Sequence, residues 1–166
     1  MHKLNFGQFS EKSMEWVALK EPCYYYWIVR NGVHDAQFFD TAYDHFALLT
    51  KRLHALKLKT SCQTCQTAMA EGMVITQDDK NRVSSVFFHC TTCAKAEGLR
   101  LFRPSLLAWP MNHDKDRFGS QKVRTALLAA CGAPMLEAST QKEMEAFFSD
   151  PENFTLEVPV VEDQAA

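Results

Sequence analysis

Four of the six cysteines stand in two matched pairs, Cys62-x2-Cys65 and Cys90-x2-Cys93, with 24 residues between the pairs. A two-residue gap lets one tight turn aim two thiolates at a single ion, and four thiolates complete the tetrahedral shell that zinc prefers. The pattern predicts one structural zinc ion on Cys62, Cys65, Cys90 and Cys93, with no coordination position open to a reacting water. The spacer is a few residues longer than the usual stretch of roughly 15–20, which a longer hairpin absorbs. His89 adjoins Cys90 and is an alternative ligand in its place. Two CxxC disulfides are the competing reading; they suit an oxidising compartment or a βαβ redox context, and neither is indicated here. Cys23 and Cys131 read as inert buried thiols. Structural zinc sites in peptides bind with about 10–16 kcal/mol, as much as the roughly 5–15 kcal/mol that holds a domain together. The metal is therefore expected to decide whether this module folds.

Other chemistry is sparse. The sequence holds no Gly-rich phosphate loop, nucleophile elbow or HExxH helix. His113, Asp114 and Asp116 share a polar loop and with His89 suggest a metal-dependent nuclease, yet no ββα or restriction-type pattern frames them. His34-Asp35 and Asp44-His45 are adjacent pairs whose side chains point to different faces. The basic residues are more informative. Lys51, Arg52, His54, Lys57 and Lys59 lead into the first cysteine pair, and Lys95, Arg100 and Arg103 follow the second. If the pairs sit side by side, these bases converge on one patch that attracts phosphate, with Phe102 available for stacking. The alternative is an ordinary solvated surface in which cations favour a helix C-terminus.

Short elements must position these groups. Residues 4–9 read as a strand broken at Gly7, Met14 to Leu19 as a short helix, and Pro22 to Val29 as a second helix with Gly32 as its C-cap. Phe39, Ala42, Tyr43, Phe46, Leu49, Leu53 and Leu56 recur at three- and four-residue steps, predicting one long helix over residues 36–58. Met69 to Thr76 and Val83 to His89 flank the turn Asp78-Asp79-Lys80-Asn81 as a hairpin with a cysteine pair at each end. Arg100 to Trp109 is ambiguous, and residues 111–119 form a loop. Ser120 caps a helix to Ala130 that Gly132 and Pro134 stop. Thr140 with Glu143 forms a capping box for a helix to Phe148. Phe154 to Val161 reads as a last strand, placed at an edge by Pro159.

Residues 4–32 carry a resemblance. Leu4-Asn5-Phe6-Gly7-Gln8-Phe9, then Trp16-Val17-Ala18, then Pro22, Tyr24, Tyr25 and Trp27-Ile28 together resemble the exodeoxyribonuclease X C-terminal-like domain. That family begins with a Phe-Gly-Lys-Tyr-Lys-Gly-Lys stretch followed by a Tyr-x-x-Trp helix, and the module accompanies nucleases and helicases. The resemblance implies a small core in which Phe6 meets Trp27. This chain departs from the family's basic loop, with Gln8, Ser10 and Glu11 there and only Lys12 kept.

Bulk properties set the frame. The 166 residues are 46% hydrophobic and 23% charged, close to a soluble globular average and against wholesale disorder. The longest apolar run, Cys23 to Val29, is far below the roughly 20 residues that span a bilayer, and no apolar signal region follows Met1, so a cytoplasmic location is expected. Residues 1–136 carry 17 Lys/Arg against 12 Asp/Glu, whereas residues 137–166 carry one Lys against eight acids. The middle of the chain attracts anions and its end repels them. The expected architecture is α+β, with helical segments around a small zinc-ribbon hairpin and short terminal strands. Its parts are a strand-helix module at 1–59, the zinc ribbon at 60–97, an α+β segment at 98–161 and a frayed tail at 162–166. The expected function is a non-enzymatic zinc-binding accessory protein that binds DNA or RNA through the basic patch. A protein–protein adaptor of phage or plasmid origin, using the ribbon and the Tyr24–Trp27 helix, is the alternative, and a nuclease using His113 is a third reading.

Overall fold

The computed structural model describes residues 9–30, 43–80, 82–107, 117–134 and 139–155. In chain order these form α1 (Met14–Lys20), α2 (Pro22–Arg30), α3 (Tyr43–His54), β1 (Gly72–Gln77), β2 (Val83–His89), α4 (Thr91–Ala96), α5 (Arg117–Ala130) and α6 (Gln141–Ser149), then a 3-10 turn at Pro151–Asn153. The architecture is α+β: helices and one two-stranded antiparallel sheet. Among the described residues no helix is long and apolar enough to cross a membrane. The expected strand at residues 4–8, the Gly32 cap, the 111–116 part of the loop and the strand beyond Thr155 lie outside the described residues.

Local chemistry explains most element ends. Ser13 caps α1 by accepting from the Trp16 amide. At α6 the expected capping box is present: the Thr140 hydroxyl accepts from the Glu143 amide while the Glu143 carboxylate accepts from the Thr140 amide. α5 begins at Arg117, three residues before Ser120, and ends in a Schellman motif. There the Ala133 amide donates to Leu128 and the Gly132 amide to Ala129, with Gly132 at φ +69°.

The largest departure from the sequence reading is at the end of α3. The helix stops at His54, and Leu56 forms an antiparallel bridge with Phe154. The Lys57 amide donates to Asn153 and the Thr155 amide to Ala55, so after a bend at Ala55 the chain runs antiparallel to residues 153–155. Leu56 and Leu58 are buried there with Lys57 exposed between them, the two-residue period of a strand.

One buried cluster runs from Met14 to Phe154 and includes Val17, Tyr25, Leu53, Leu56, Met73, Phe88, Leu127 and Phe148. α1 packs on α2, α3 and α6, and α5 packs on β2. Full burial of each leucine contributes about 1.5–3 kcal/mol. The hairpin joins this core through Met73 and Phe88, which face each other across the register. A third segment pairs with the far edge of β1, where the Met73 amide donates to Phe102 and the Phe102 amide to Met73. Gly72 makes that approach possible. A Cβ there would lie 2.5 Å from Leu101 Cγ and 2.7 Å from the Phe102 carbonyl oxygen. Gly72→Ala is therefore expected to lower unfolding free energy by about 1–3 kcal/mol, measured by chemical denaturation, with no change in helix content.

Candidate metal centre

The first cysteine pair sits in a knuckle before β1. Its turn is closed by the Cys62 amide donating to Ala68 and the Gln66 amide donating to Cys62, with Gln66 at φ 56°. The Ala70 amide donates to Thr60, and Ser61 bridges Met69. The second pair stands at the opening of a helix and not at a second β-turn of a ribbon. Cys90 follows β2 directly, is the N-cap of α4, and its sulfur accepts from the Cys93 amide. The module is thus a knuckle, a hairpin and a helix, and the hairpin returns the chain so that helix start and knuckle meet.

They meet at the sulfurs. The Sγ atoms of Cys62, Cys65, Cys90 and Cys93 all lie within 4.8 Å of one another. Four sulfurs about 2.3 Å from a tetrahedral ion stand about 3.8 Å apart, so the cluster is compact enough to surround one. Cys62 and Cys90 are buried, and Cys65 and Cys93 are partly exposed. No disulfide joins any of the six cysteines, which leaves the disulfide reading without a bond. Among the described residues this is the one group of three or more metal-competent side chains. His89 is outside it, and its Nδ1 lies 3.1 Å from Thr64 Oγ1.

The electrostatics of the cluster are uneven. The Cys65 amide, then that of Cys90, holds the Cys62 thiol below its ordinary value. Cys65 is lowered to about 6, chiefly by the Thr67 hydroxyl and then by the Ala68 and Thr67 amides. Cys93 is pushed up to about 12, first by its hydrogen bond with Cys90 and then by burial. Without an ion, the cluster mixes stabilised thiolate with retained thiol. A bound cation removes the conflict by making all four thiolates favourable.

The basic residues are divided by the structure. Arg52 donates through Nη1 to the Phe148 carbonyl and lies 5.3 Å over the Phe154 ring. Lys57 pairs with Glu152 at 3.5 Å, and Lys59 donates to the Asn153 side chain. Lys51, Arg52 and His54 do lie in the last turn of α3, but Lys57 and Lys59 fall beyond it, and the C-terminal segment packs against Arg52, Lys57 and Lys59. Lys51, Lys95, Arg100 and Arg103 are exposed. His54 Nδ1 lies 3.0 Å from Ser105 Oγ and the Leu106 amide donates to Leu53, so the end of α3 and the segment after Arg103 are neighbours; burial and then the Arg103 charge lower the His54 pKa. Arg100 stacks over Phe102 at 4.9 Å, which occupies the ring expected to be open for stacking.

Other candidates fall differently. His34, Asp35, His113, Asp114 and Asp116 lie outside the described residues. Cys131 is buried and pushed up to about 12 by that burial, as an inert thiol should be. Cys23 is exposed, because the second position of α2 faces outward and not into the core. Sequence reasoning missed a pair between helices: the buried Glu15 of α1 lies 2.7 Å from His45 Nε2 of α3. An acid on a short apolar helix was the available signal. Tyr24 and Trp27, the Tyr-x-x-Trp pair, stack at 5.8 Å on α2, with Phe9 edge-on to Tyr24 at 4.9 Å. Phe6, the expected partner of Trp27, lies outside the described residues.

No family model matches the chain, and no curated protein or solved structure matches it.

The signs of the cysteine shifts fix a pH dependence. A thiol lowered from 9.0 to about 6 contributes stability above its unfolded value that is lost as pH falls through about 6. The raised Cys93 acts oppositely, its contribution being complete below 9.0 and lost as pH rises toward about 12. A bound cation requires every thiolate, so acidification from about pH 8 to about pH 5 is expected to weaken binding by about tenfold per pH unit for each proton taken up. Competition with a chelator of known affinity across that range measures it, and affinity independent of pH contradicts a thiolate site.

Proposed function

We propose that this protein is a zinc-bound accessory protein of a reducing, cytoplasmic compartment that holds nucleic acid against the outer surface of its metal module. The observation that carries the reading is the closed set of four sulfurs. Sulfur-only tetrahedral donors select zinc or an iron–sulfur site, and a group compact enough to surround one ion favours zinc over a multi-iron cluster. Four thiolates fill its shell, so the metal organises the surface around it and does not act on a substrate. That surface carries Lys95 on α4 and Arg100 and Arg103 just after it, with Lys51 and His54 at the neighbouring helix end. These cations supply the charge that phosphates require, and the neighbouring carboxylates of Glu71 and Glu97 are engaged by Thr91 and Thr64. Arg52, Lys57 and Lys59 serve the fold, so the binding surface is narrower than the full set of eight bases.

Two measurements test this. Elemental analysis of purified protein is expected to give one zinc per chain; less than half an equivalent, with the thiols oxidised in pairs, ends the metal reading. Anisotropy titration with a short DNA or RNA is expected to show affinity that falls with salt. Replacing Lys95, Arg100 and Arg103 by Gln should flatten the salt slope by about 0.7–0.9 for each phosphate that is no longer neutralised. Lys57→Gln is expected to leave that slope unchanged. Absence of any binding at low salt overturns nucleic-acid binding while leaving the zinc reading intact.

A protein adaptor is the second reading, favoured by one observation: Trp27 is 50% exposed beside its stacked partner Tyr24. An amphipathic ring at the surface is the usual anchor of a protein interface. Capture of a partner that survives nuclease treatment and is abolished in Trp27→Ala is the outcome this reading requires.

A further inference from the structure

The residues between and beside the metal ligands form a second set of links across the cluster. Gln63 and Thr64 lie inside the first CxxC, and each reaches the chain that leads to the second. The Gln63 amide donates to the Phe88 carbonyl at 2.9 Å, and the Phe88 amide donates back to Gln63 Oε1 at 2.9 Å. Gln63 thus imitates a strand residue on the outer edge of β2. The Glu71 amide donates to the His89 carbonyl at 2.9 Å, and the Glu71 carboxylate accepts from the Thr91 amide at 2.8 Å.

Thr64 completes a three-residue chain. Its hydroxyl donates to Glu97 Oε1 at 3.0 Å and lies 3.1 Å from His89 Nδ1. A hydroxyl has one proton to give. Since that proton goes to Glu97, Thr64 Oγ1 accepts from His89, and Nδ1 of the ring bears the hydrogen. His89 is 6% exposed and immediately precedes Cys90, whereas Glu97 is the C-cap of the helix that Cys90 opens. One threonine of the knuckle therefore holds the residue before the second ligand pair and the residue that ends its helix.

We propose that Thr64 and His89 are positioning residues for the metal: they hold the knuckle sulfurs of Cys62 and Cys65 in register with those of Cys90 and Cys93 before the ion arrives. The inference rests on the metal reading above and is independent of nucleic-acid binding. Hydrogen bonds in this outer position orient ligands elsewhere and typically alter metal affinity by about 10–100-fold. Aligned sulfurs lose less freedom on binding, so the effect belongs to affinity and not to the kind of ligand.

The test uses the full-length chain with cobalt(II) as the probe, because its absorption reports both thiolate ligation and geometry. Wild-type protein is expected to show thiolate-to-cobalt absorption with tetrahedral d–d bands. Thr64→Val, which keeps the shape and removes the hydroxyl, should retain that spectrum with affinity lower by about 10–100-fold. Thr64→Ser should restore wild-type affinity. Melting curves with and without metal separate positioning from simple packing: in Thr64→Val the metal-dependent rise in Tm should shrink while the metal-free Tm stays near wild type. Unchanged cobalt affinity in Thr64→Val overturns the proposal, as does an equal loss of Tm with and without metal. If the wild-type protein gives no thiolate absorption, the metal reading itself falls, and that result is distinct from either. A wild-type spectrum typical of mixed sulfur and imidazole ligation would make His89 a ligand and also overturn the positioning role.

Discussion

Two stretches of chain are brought to one point by the requirement that four sulfurs share a small volume. The hairpin provides the return path, and the knuckle and the first turn of α4 provide the two ends. Placing four titratable thiols within 4.8 Å of one another has an electrostatic cost. Their local partners differ: hydrogen bonds from Thr67 and the Ala68 amide lower Cys65, while the hydrogen bond with Cys90 and burial raise Cys93. A cation held by these four residues would favour the thiolate form of each, and the knuckle, hairpin and α4 are what bring the four together.

The module is not an isolated appendage. Met73 and Phe88 carry the inner face of the hairpin into the same buried cluster as α1, α3 and α6. α5 fastens the outer side, where Lys122 Nζ donates to the carbonyls of Val83 and Ser84. At the other end of the core, Leu56 and Phe154 join parts of the chain almost a hundred residues apart, and Arg52 covers the Phe154 ring. Bases that resemble a phosphate surface in the sequence are, in part, the means by which an acidic C-terminal segment is held down.

What is legible in the sequence is whatever depends on neighbours in the chain. The CxxC spacing, the hairpin around Asp78, the Thr140–Glu143 capping box and the Gly132 stop are all local, and each is found where expected. What is hidden depends on partners far away. Leu53 and Leu56 satisfy helical spacing as well as they satisfy a strand entered from a helix. Only Phe154 decides between these, and its position cannot be read from residues 50–58. The same holds for Glu15, whose partner His45 belongs to another helix. The second cysteine pair is equally ambiguous, because CxxC suits a turn or a helix start alike; the short run Thr91–Ala96 is too brief to announce itself by periodicity.

Both edges of the sheet are partly occupied. β1 is paired on its far side by Phe102, while the outer edge of β2 is occupied by Gln63 at one end and by the Lys122 ammonium at the other. Edges blocked in this way resist extension by a further strand, which is the common route to sheet-to-sheet association. Growth of the hairpin into a larger shared sheet is discouraged at these positions on both edges.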